Sequence, residues 1–200
     1  MHLARKFWHF FGVITIAVFY HNLSRPMAVQ VLTLFTAVAI LIDILRQRLP
    51  GLNRYVIYVM HPIMRDSEKN GLAGTTFLLT GALIIVVVFP PKVVMLSLLF
   101  LAVADPVASY FGIRYGRDRL FRGKSLQGTL AAFVACTLIA GGYFFAHNLM
   151  TERLVIVSLL SGMAGALAEL VPVGRVDDNL VLPVVSSVLL YGIYFLFGGF

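Results

Sequence analysis

The chain has 200 residues, of which 60% are hydrophobic and only 12% are charged, and its mean hydropathy is +0.90. These values exclude an ordinary soluble domain, in which about 25% of residues are charged. The net charge of +7 lies mainly between apolar segments, so anionic lipid head groups and phosphates are the expected partners, and nucleic acid is not. The single cysteine, Cys136, excludes an intrachain disulfide and a cysteine-based zinc site.

Apolar segments long enough to cross a bilayer, which takes about 20 helical residues, recur along the whole chain. They lie near residues 7–21, 26–45, 71–90, 93–113, 126–147, 154–172 and 180–199. A further segment at about 52–64 is too short to span and mixes tyrosine and methionine with basic residues, which is typical of an interfacial helix. We therefore predict an all-α integral membrane protein, with about seven transmembrane helices and one short interfacial helix in a single domain over residues 1–200.

The connections between these segments divide the basic residues very unequally. Only Arg25, Lys92 and Arg153 of the 16 basic residues fall on one membrane face. The others fall on the opposite face: Arg5, Lys6, Arg46, Arg48, Arg54, Arg65, Lys69, Arg114, Arg117, Arg119, Arg122, Lys124 and Arg175. Lysine and arginine accumulate on the cytoplasmic side, so the amino terminus is predicted to be cytoplasmic. Every acidic residue except Glu152 lies at or near this same face, and we expect any chemistry there.

The first predicted helix carries polar residues at its cytoplasmic end. At helical spacing, Arg5, His9 and Gly12 share one face, with Lys6 beside them. The two basic residues could serve only as topology signals. A histidine inside the membrane boundary is a functional candidate, although a structural histidine is an equal alternative.

Two polar groups follow before the third span. Asp43, near the end of the second span, could pair with Arg46 or Arg5, and its role stays open. Arg65 and Glu68 belong to a stretch of mixed charge that precedes the third span, and they are candidate site residues. Ion pairing on the surface would account for them equally well.

The fourth predicted span contains an aspartate. Asp105, Ser109 and Gly112 share one face at helical spacing, and Gly116 follows one turn later. An ionised aspartate inside a span costs about 3 kcal/mol on insertion scales, so Asp105 should face a cavity, a cation or a partner. It is a candidate catalytic residue and metal ligand. An Asp–Arg pair that only fastens helices is the alternative.

The loop before the fifth span is a candidate phosphate site. It combines cations, glycines and hydroxyl groups: Arg114, Gly116, Arg117, Arg119, Arg122, Lys124, Ser125, Gly128 and Thr129. A helix start with free backbone N–H groups beside cations binds anions. It is not a Walker A loop, because the upstream glycine spacing fails and no strand precedes it. A topogenic loop that touches lipid phosphates is the alternative.

Acidic residues also end the sixth span and precede the seventh. Glu169 ends a small-residue face, and Asp177, Asp178 and Asn179 stand directly before the last span. Such carboxylates and an amide oxygen suit Mg²⁺, which binds a few carboxylates together with nucleotide phosphates. A helix cap at Asp178 or Asn179 would account for only one of the three polar residues. We predict Asp105, Glu169, Asp177, Asp178 and Asn179 as metal ligands.

Five motifs occur in order along the chain: Arg5-Lys6 with His9, Arg65 with Glu68, Asp105-Pro-x-Ala-Ser-x-x-Gly112, Lys124-Ser125-x-x-Gly128-Thr129, and Asp177-Asp178-Asn179 with Pro183. This set, from residue 5 to about 183, resembles the CTP-dependent lipid kinase family, which includes dolichol kinase, phytol kinase and the CTP-dependent diacylglycerol kinase. The resemblance implies transfer of the γ-phosphate of CTP to the hydroxyl of a membrane lipid alcohol. It also implies importance for Arg5, Lys6, Asp105 and Gly112.

Under this interpretation, Asp177 and Asp178 would bind metal, while Lys124 and Ser125 with the neighbouring arginines would hold the triphosphate. Arg5 and Lys6 would neutralise developing charge. The roles of metal ligand and hydroxyl-orienting base both remain open for Asp105. We expect an integral membrane enzyme whose site faces the cytoplasm. The alternatives are a cytidylyltransferase that makes a CDP-lipid and a small-solute transporter.

Overall fold

The computed structural model describes residues 3–171, 174 and 176–200, except for the side chains of Leu3 and Arg122; Arg175 therefore lies outside the described residues. Helices make up most of this part of the chain. They are α1 (Leu3–Asn22), α2 (Arg25–Arg48), α3 (Pro50–Met60), α4 (Gly74–Val88), α5 (Pro91–Tyr115), α6 (Leu126–Ala146), α7 (Leu154–Leu170) and α8 (Asp178–Phe197). Short 3₁₀ turns stand in three connections, at Asp66–Glu68, Phe121–Gly123 and Thr151–Arg153. The all-α prediction is thus confirmed for the described residues.

Each of the seven predicted apolar segments coincides with a helix, but the helices differ in how well they could span a membrane. Within the described residues, five are long and apolar enough: α2, α5, α6, the stretch Thr151–Leu170 that contains α7, and α8. Helix α4 is apolar but has only 15 residues. Helix α1, which begins beside Arg5 and Lys6, is not among the five. An integral membrane protein is therefore supported, and the full count of seven spans stays a prediction.

Helix α5 occupies the centre of the bundle and packs against α1, α4, α6, α7 and α8. Val93, Leu96 and Ala104 are fully buried, as expected for a central helix that packs against five others. Polar contacts inside the bundle are short: the Ser187 hydroxyl donates to Ser97 Oγ at 2.8 Å and joins α8 to α5. Hydroxyl groups of this kind commonly link membrane helices.

Two glycines allow α5 and α6 to approach closely. A Cβ atom on Gly128 would lie 2.5 Å from the carbonyl oxygen of Ala108, and one on Gly112 would lie 2.9 Å from Ser125 Oγ. No larger residue fits such a contact without moving a helix. The close approach brings the start of α6 against the face of α5 that carries Asp105.

The starts of α6 and α8 are both capped by side chains. Ser125 Oγ accepts a hydrogen bond from the backbone N–H of Gly128 at 3.1 Å. Asp177 Oδ1 accepts one from the N–H of Asn179 at 2.9 Å. Capping the last helix was the alternative role for Asp178 or Asn179, but the cap is instead Asp177, because Asp178 and Asn179 already lie inside α8.

Candidate active site

A polar cavity of about 270 Å³ lies where α5, the start of α6, the end of α7 and the start of α8 meet. Its charged lining consists of Arg65, Asp105, Arg119, Lys124, Glu169 and Asp178. Its small and hydroxyl residues include Ser109, Gly112, Ser125, Gly128 and Thr129. Residues singled out in separate stretches of the sequence thus line one cavity, and we call it the polar cavity.

Lys124 is the main connection across the polar cavity. Its Nζ lies 3.1 Å from Glu169 Oε1 and 3.4 Å from Asp178 Oδ2, and it also donates to the backbone carbonyl of Glu169. One ammonium group therefore joins the loop before α6 to the end of α7 and the start of α8. Glu169 is 6% exposed, and its Oε2 has no hydrogen-bond partner among the described residues. Such a buried oxygen costs about 1–3 kcal/mol unless a donor or a cation meets it.

Arg65 joins the α3–α4 connection to the start of α8. Its guanidinium donates to Asp177 Oδ2 at 2.9 Å and has its Nε 3.9 Å from Glu68 Oε1. Because Arg65 lines the polar cavity and pairs with a residue 112 positions away, surface pairing does not explain it. Surface pairing does describe its neighbours, since Lys69 lies 2.7 Å from the exposed Asp66.

Helix α1 brings two basic residues to different sides of the site. Lys6 Nζ lies 3.9 Å from Asp105 Oδ2. Lys6 precedes the first predicted span, and burial lowers the pKa of its ammonium group, an effect that the Asp105 carboxylate opposes. Arg5 instead lines a groove on the other flank of α1. His9 is buried and donates from Nε2 to the carbonyl oxygen of Leu101 at 3.1 Å, so it fastens α1 to α5.

Not every predicted nucleotide-binding residue lines the polar cavity. Arg114 and Arg117 are exposed and lie with Gly116 around a separate depression that also includes Gln127. Gly116 packs against Ser125, since a Cβ atom on it would lie 2.8 Å from Ser125 Cβ. These residues are close in sequence, but Arg114 on the last turn of α5 and Arg117 in the loop after it both lie outside the polar cavity.

The predicted metal ligands also divide. Asp105, Glu169 and Asp178 line the polar cavity, whereas Asp177 caps α8. Asn179 donates its side-chain amide to the carbonyl oxygen of Gly74 at 3.2 Å. In the part of the chain that the structure describes, no group of three or more acidic, histidine or cysteine side chains could hold a metal ion by itself.

Asp43, whose partner the sequence left undecided, forms a buried ion pair beneath the site. Asp43 pairs with Arg46, not with Arg5, and the distance from Arg46 Nε to Asp43 Oδ1 is 2.6 Å. Arg46 also donates to the carbonyl oxygens of Glu68 and Gly71, while Asp43 Oδ2 accepts from the N–H of Ala73 at 2.8 Å. This network fixes the connection that carries Arg65 and Glu68. The spacing of three residues within one helix was its only sequence signal.

Comparisons with known proteins identify relatives that are named as lipid kinases. The chain is 36% identical to CTP-dependent diacylglycerol kinase 1 of Schizosaccharomyces pombe over 74% of this chain and 73% of that protein. It is 32% identical to the protein of the same name in Eremothecium gossypii, over 94% of this chain and 66% of that protein. It is 27% identical to the one in Saccharomyces cerevisiae, over 94% of this chain and 72% of that protein. No protein-family model and no solved structure gives a significant match.

Proposed function

The chain belongs to the CTP-dependent lipid kinase family, and from that premise we propose that it transfers the γ-phosphate of CTP to the hydroxyl of diacylglycerol at the cytoplasmic membrane face. The observation that carries the proposal is the polar cavity, where three acidic and three basic side chains meet beside the starts of two helices. Diacylglycerol, among the lipid alcohols that the family uses, is chosen because the relatives are named for it.

The basic residues of the polar cavity suit a triphosphate. Phosphoryl transfer depends chiefly on positioning and on neutralising the charge of the phosphate oxygens. Lys124 and Arg119 approach the cavity from the loop before α6, Arg65 approaches it from the α3–α4 connection, and Thr129 lines it at the start of α6. We assign these groups to the β- and γ-phosphates of CTP. Ser125 Oγ accepts the N–H of Gly128 and so caps α6, which still allows its O–H to donate to a phosphate oxygen.

The acidic residues suit a magnesium ion that enters with the nucleotide. Mg²⁺ is usually held by one or two carboxylates together with substrate phosphates and water. Asp105, Glu169 and Asp178 line the same cavity, and Glu169 Oε2 has no partner among the described residues, so the donor set fits this mode of binding. When bound, the ion would supply neutralising charge on the phosphates. The neighbouring Lys124 would share that task.

Asp105 is the carboxylate of the polar cavity that we assign either to the metal ion or to the reacting hydroxyl. It lies on the α5 face of the polar cavity and 3.9 Å from Lys6, at the end of the cavity nearest to α1. A carboxylate there can either bind the metal ion or orient the lipid hydroxyl by accepting its proton.

The charge distribution supports the proposed orientation. The basic residues of the polar cavity, Arg65, Arg119 and Lys124, belong to connections on the face where lysine and arginine accumulate, which is the cytoplasmic signature. Its acidic residues lie on helices, with Glu169 and Asp178 at the helix ends next to that face. CTP would then reach the cavity from the cytosol, while the lipid hydroxyl lies at head-group depth. In this arrangement α1 and α4 cross the membrane together with α2, α5, α6, α7 and α8, and α3 lies at the interface.

The test is a transfer assay on the purified protein in detergent, with γ-labelled CTP or ATP, Mg²⁺, and diacylglycerol, phytol or a polyprenol as acceptor. We expect label in an extractable phospholipid only with CTP and diacylglycerol, and loss of transfer after EDTA treatment. A parallel reaction with α-labelled CTP and phosphatidate as the acceptor should leave the lipid unlabelled. Label in the lipid from the α-phosphate would instead indicate a cytidylyltransferase, which the comparisons do not favour.

A further inference from the structure

A second cavity, of about 470 Å³, runs along the other flank of α1, between α1, α2, α4 and the connection before α4. We call it the α1–α4 groove. Most of its wall is apolar, with Phe11, Ile16, Phe35 and Leu78 among its residues. The aromatic side chains at its mouth are open: Trp8 is 52% exposed, Phe11 60% and Phe35 58%. In a bilayer this mouth would open towards lipid, so the groove can exchange apolar chains with the membrane.

One end of the α1–α4 groove is polar. Arg5, His9, Glu68 and Asn179 line that end, and they include a cation, a carboxylate and an amide. The start of α4 closes it tightly, since a Cβ atom on Gly74 would lie 2.9 Å from Asn179 Nδ2 and 3.1 Å from Glu68 Oε1. The groove therefore has the polarity of an amphiphile, with an apolar body and a hydrogen-bonding head.

The polar end of the groove adjoins the polar cavity. Glu68 lines the groove, and its Oε1 lies 3.9 Å from the Nε of Arg65, which lines the cavity. In the same way Asn179 lines the groove, and the preceding residue, Asp178, lines the cavity. A hydroxyl group held at the polar end would thus lie beside the groups that we assign to the phosphates of CTP.

We propose that the α1–α4 groove is the binding site for the lipid acceptor, with the acyl chains of diacylglycerol along the apolar wall and its hydroxyl at the end formed by Arg5, Glu68 and Asn179. This inference rests on the proposed function for the identity of the lipid. A smaller depression of about 350 Å³ on the opposite flank of α1 is the competing location. It is lined mainly by apolar residues such as Phe10, Val103 and Val107, and its charged residue, Lys6, faces Asp105.

Gly12 offers a way to fill the groove without disturbing the fold. It lies on α1 and lines the groove, and a Cβ atom added there meets no heavy atom within 4 Å. Gly142 on α6 is the matched control, because it is an exposed helical glycine with equally open surroundings that lines neither the polar cavity nor the groove. Both Gly→Leu changes also favour helix formation, so neither should unfold the protein.

In the transfer assay we expect Gly12→Leu to raise the KM for diacylglycerol roughly tenfold or more, the discrimination that a few methylene groups produce in an apolar pocket. The KM for CTP should stay unchanged, and Gly142→Leu should match the wild type. Equal kinetics for both variants and the wild type would overturn the groove assignment while leaving the kinase activity established.

A second readout does not depend on transfer. Diacylglycerol with a diazirine in one acyl chain is photolysed with the protein in phosphatidylcholine vesicles, and the adducts are mapped by mass spectrometry. We expect adducts at groove residues such as Thr15, Ile16 and Leu79, removed by excess unlabelled diacylglycerol and strongly reduced in Gly12→Leu. Adducts at Val103 and Val107, or adducts that competitor does not remove, would overturn the inference. If the wild-type protein shows no kinase activity, only the proposed function is contradicted. The labelling pattern still tests whether the α1–α4 groove binds diacylglycerol, because labelling does not require transfer.

Discussion

The ammonium group of Lys124 lies between two carboxylates, 3.1 Å from Glu169 Oε1 and 3.4 Å from Asp178 Oδ2. These residues belong to the loop before α6, the end of α7 and the first turn of α8, so one side chain holds three segments together. Glu169 is nearly buried and keeps one oxygen without a partner among the described residues. Lys124 therefore links the three segments. Under the proposed function, its ammonium group would also bind the nucleotide, and the Glu169 carboxylate would bind the metal ion.

Replacing Lys124 by methionine should therefore damage both stability and activity. Removing one partner of a buried ion pair costs about 3–5 kcal/mol, and the exposed part of Lys124 places this change at the lower end, about 3 kcal/mol. We expect a lower melting temperature in detergent and a large rise in the KM for CTP. The double variant Lys124→Met/Glu169→Gln separates the effects, because it should recover stability without recovering transfer. Full recovery of transfer would contradict a role in binding CTP.

Asp105→Asn should reduce transfer by at least about 100-fold, the range expected when a positioned acid or base is lost. The fold should persist, since asparagine has the same shape. Asp118→Asn is the matched control, because Asp118 is exposed, does not line the polar cavity and accepts a hydrogen bond from Gln127. A rise in the Mg²⁺ concentration needed for half-maximal residual activity would favour the metal-ligand role. An unchanged value would favour orientation of the hydroxyl. Activity equal to that of the control variant would rule out both roles.

Helical spacing predicted local relationships well. Asp105, Ser109 and Gly112 line one cavity because residues three and four apart share a helix face. Each predicted apolar segment coincides with a helix, since about 20 consecutive apolar residues have few other stable forms in a bilayer. The family, predicted from the order of five motifs, is confirmed by relatives that are 36% and 32% identical to this chain.

Sequence reasoning failed where a side chain finds its partner across the fold. Arg65 and Asp177 are 112 positions apart, and only helix packing makes them neighbours. Spacing cannot tell which cations of one loop face inwards, so it did not separate Arg119, which lines the polar cavity, from Arg114 and Arg117, which do not.

Gly128→Ala tests the contact between α5 and α6. Its added Cβ would lie 2.5 Å from the carbonyl oxygen of Ala108, which is too close for a real contact, so the helices must separate. Overpacking of this kind costs about 1–3 kcal/mol, and the shift would move the start of α6 away from Asp105. We expect a lower melting temperature and a loss of transfer. Gly142→Ala on the same helix meets nothing within 4 Å and should change neither property. Equal behaviour of the two variants would show that the close approach is not required.

The buried pair of Asp43 and Arg46 should stabilise the site without touching substrate. Arg46 is 1% exposed and donates to carbonyl oxygens of the α3–α4 connection, so Arg46→Met leaves both the Asp43 carboxylate and those oxygens without their partner. The expected loss is about 3–5 kcal/mol of stability. Transfer should fall because Arg65 and Glu68 lose their fixed position.

Arg48→Met is the control for this change, because Arg48 lies in the last turn of the same helix but is exposed. Its loss should alter the melting temperature very little. Limited proteolysis would report the temperature at which the α3–α4 connection of Arg46→Met loses its order. At that temperature, high concentrations of lipid or CTP should not restore the wild-type rate of transfer. If Arg46→Met melts like Arg48→Met and still loses transfer, Arg46 acts on the substrate directly and the positioning role is wrong.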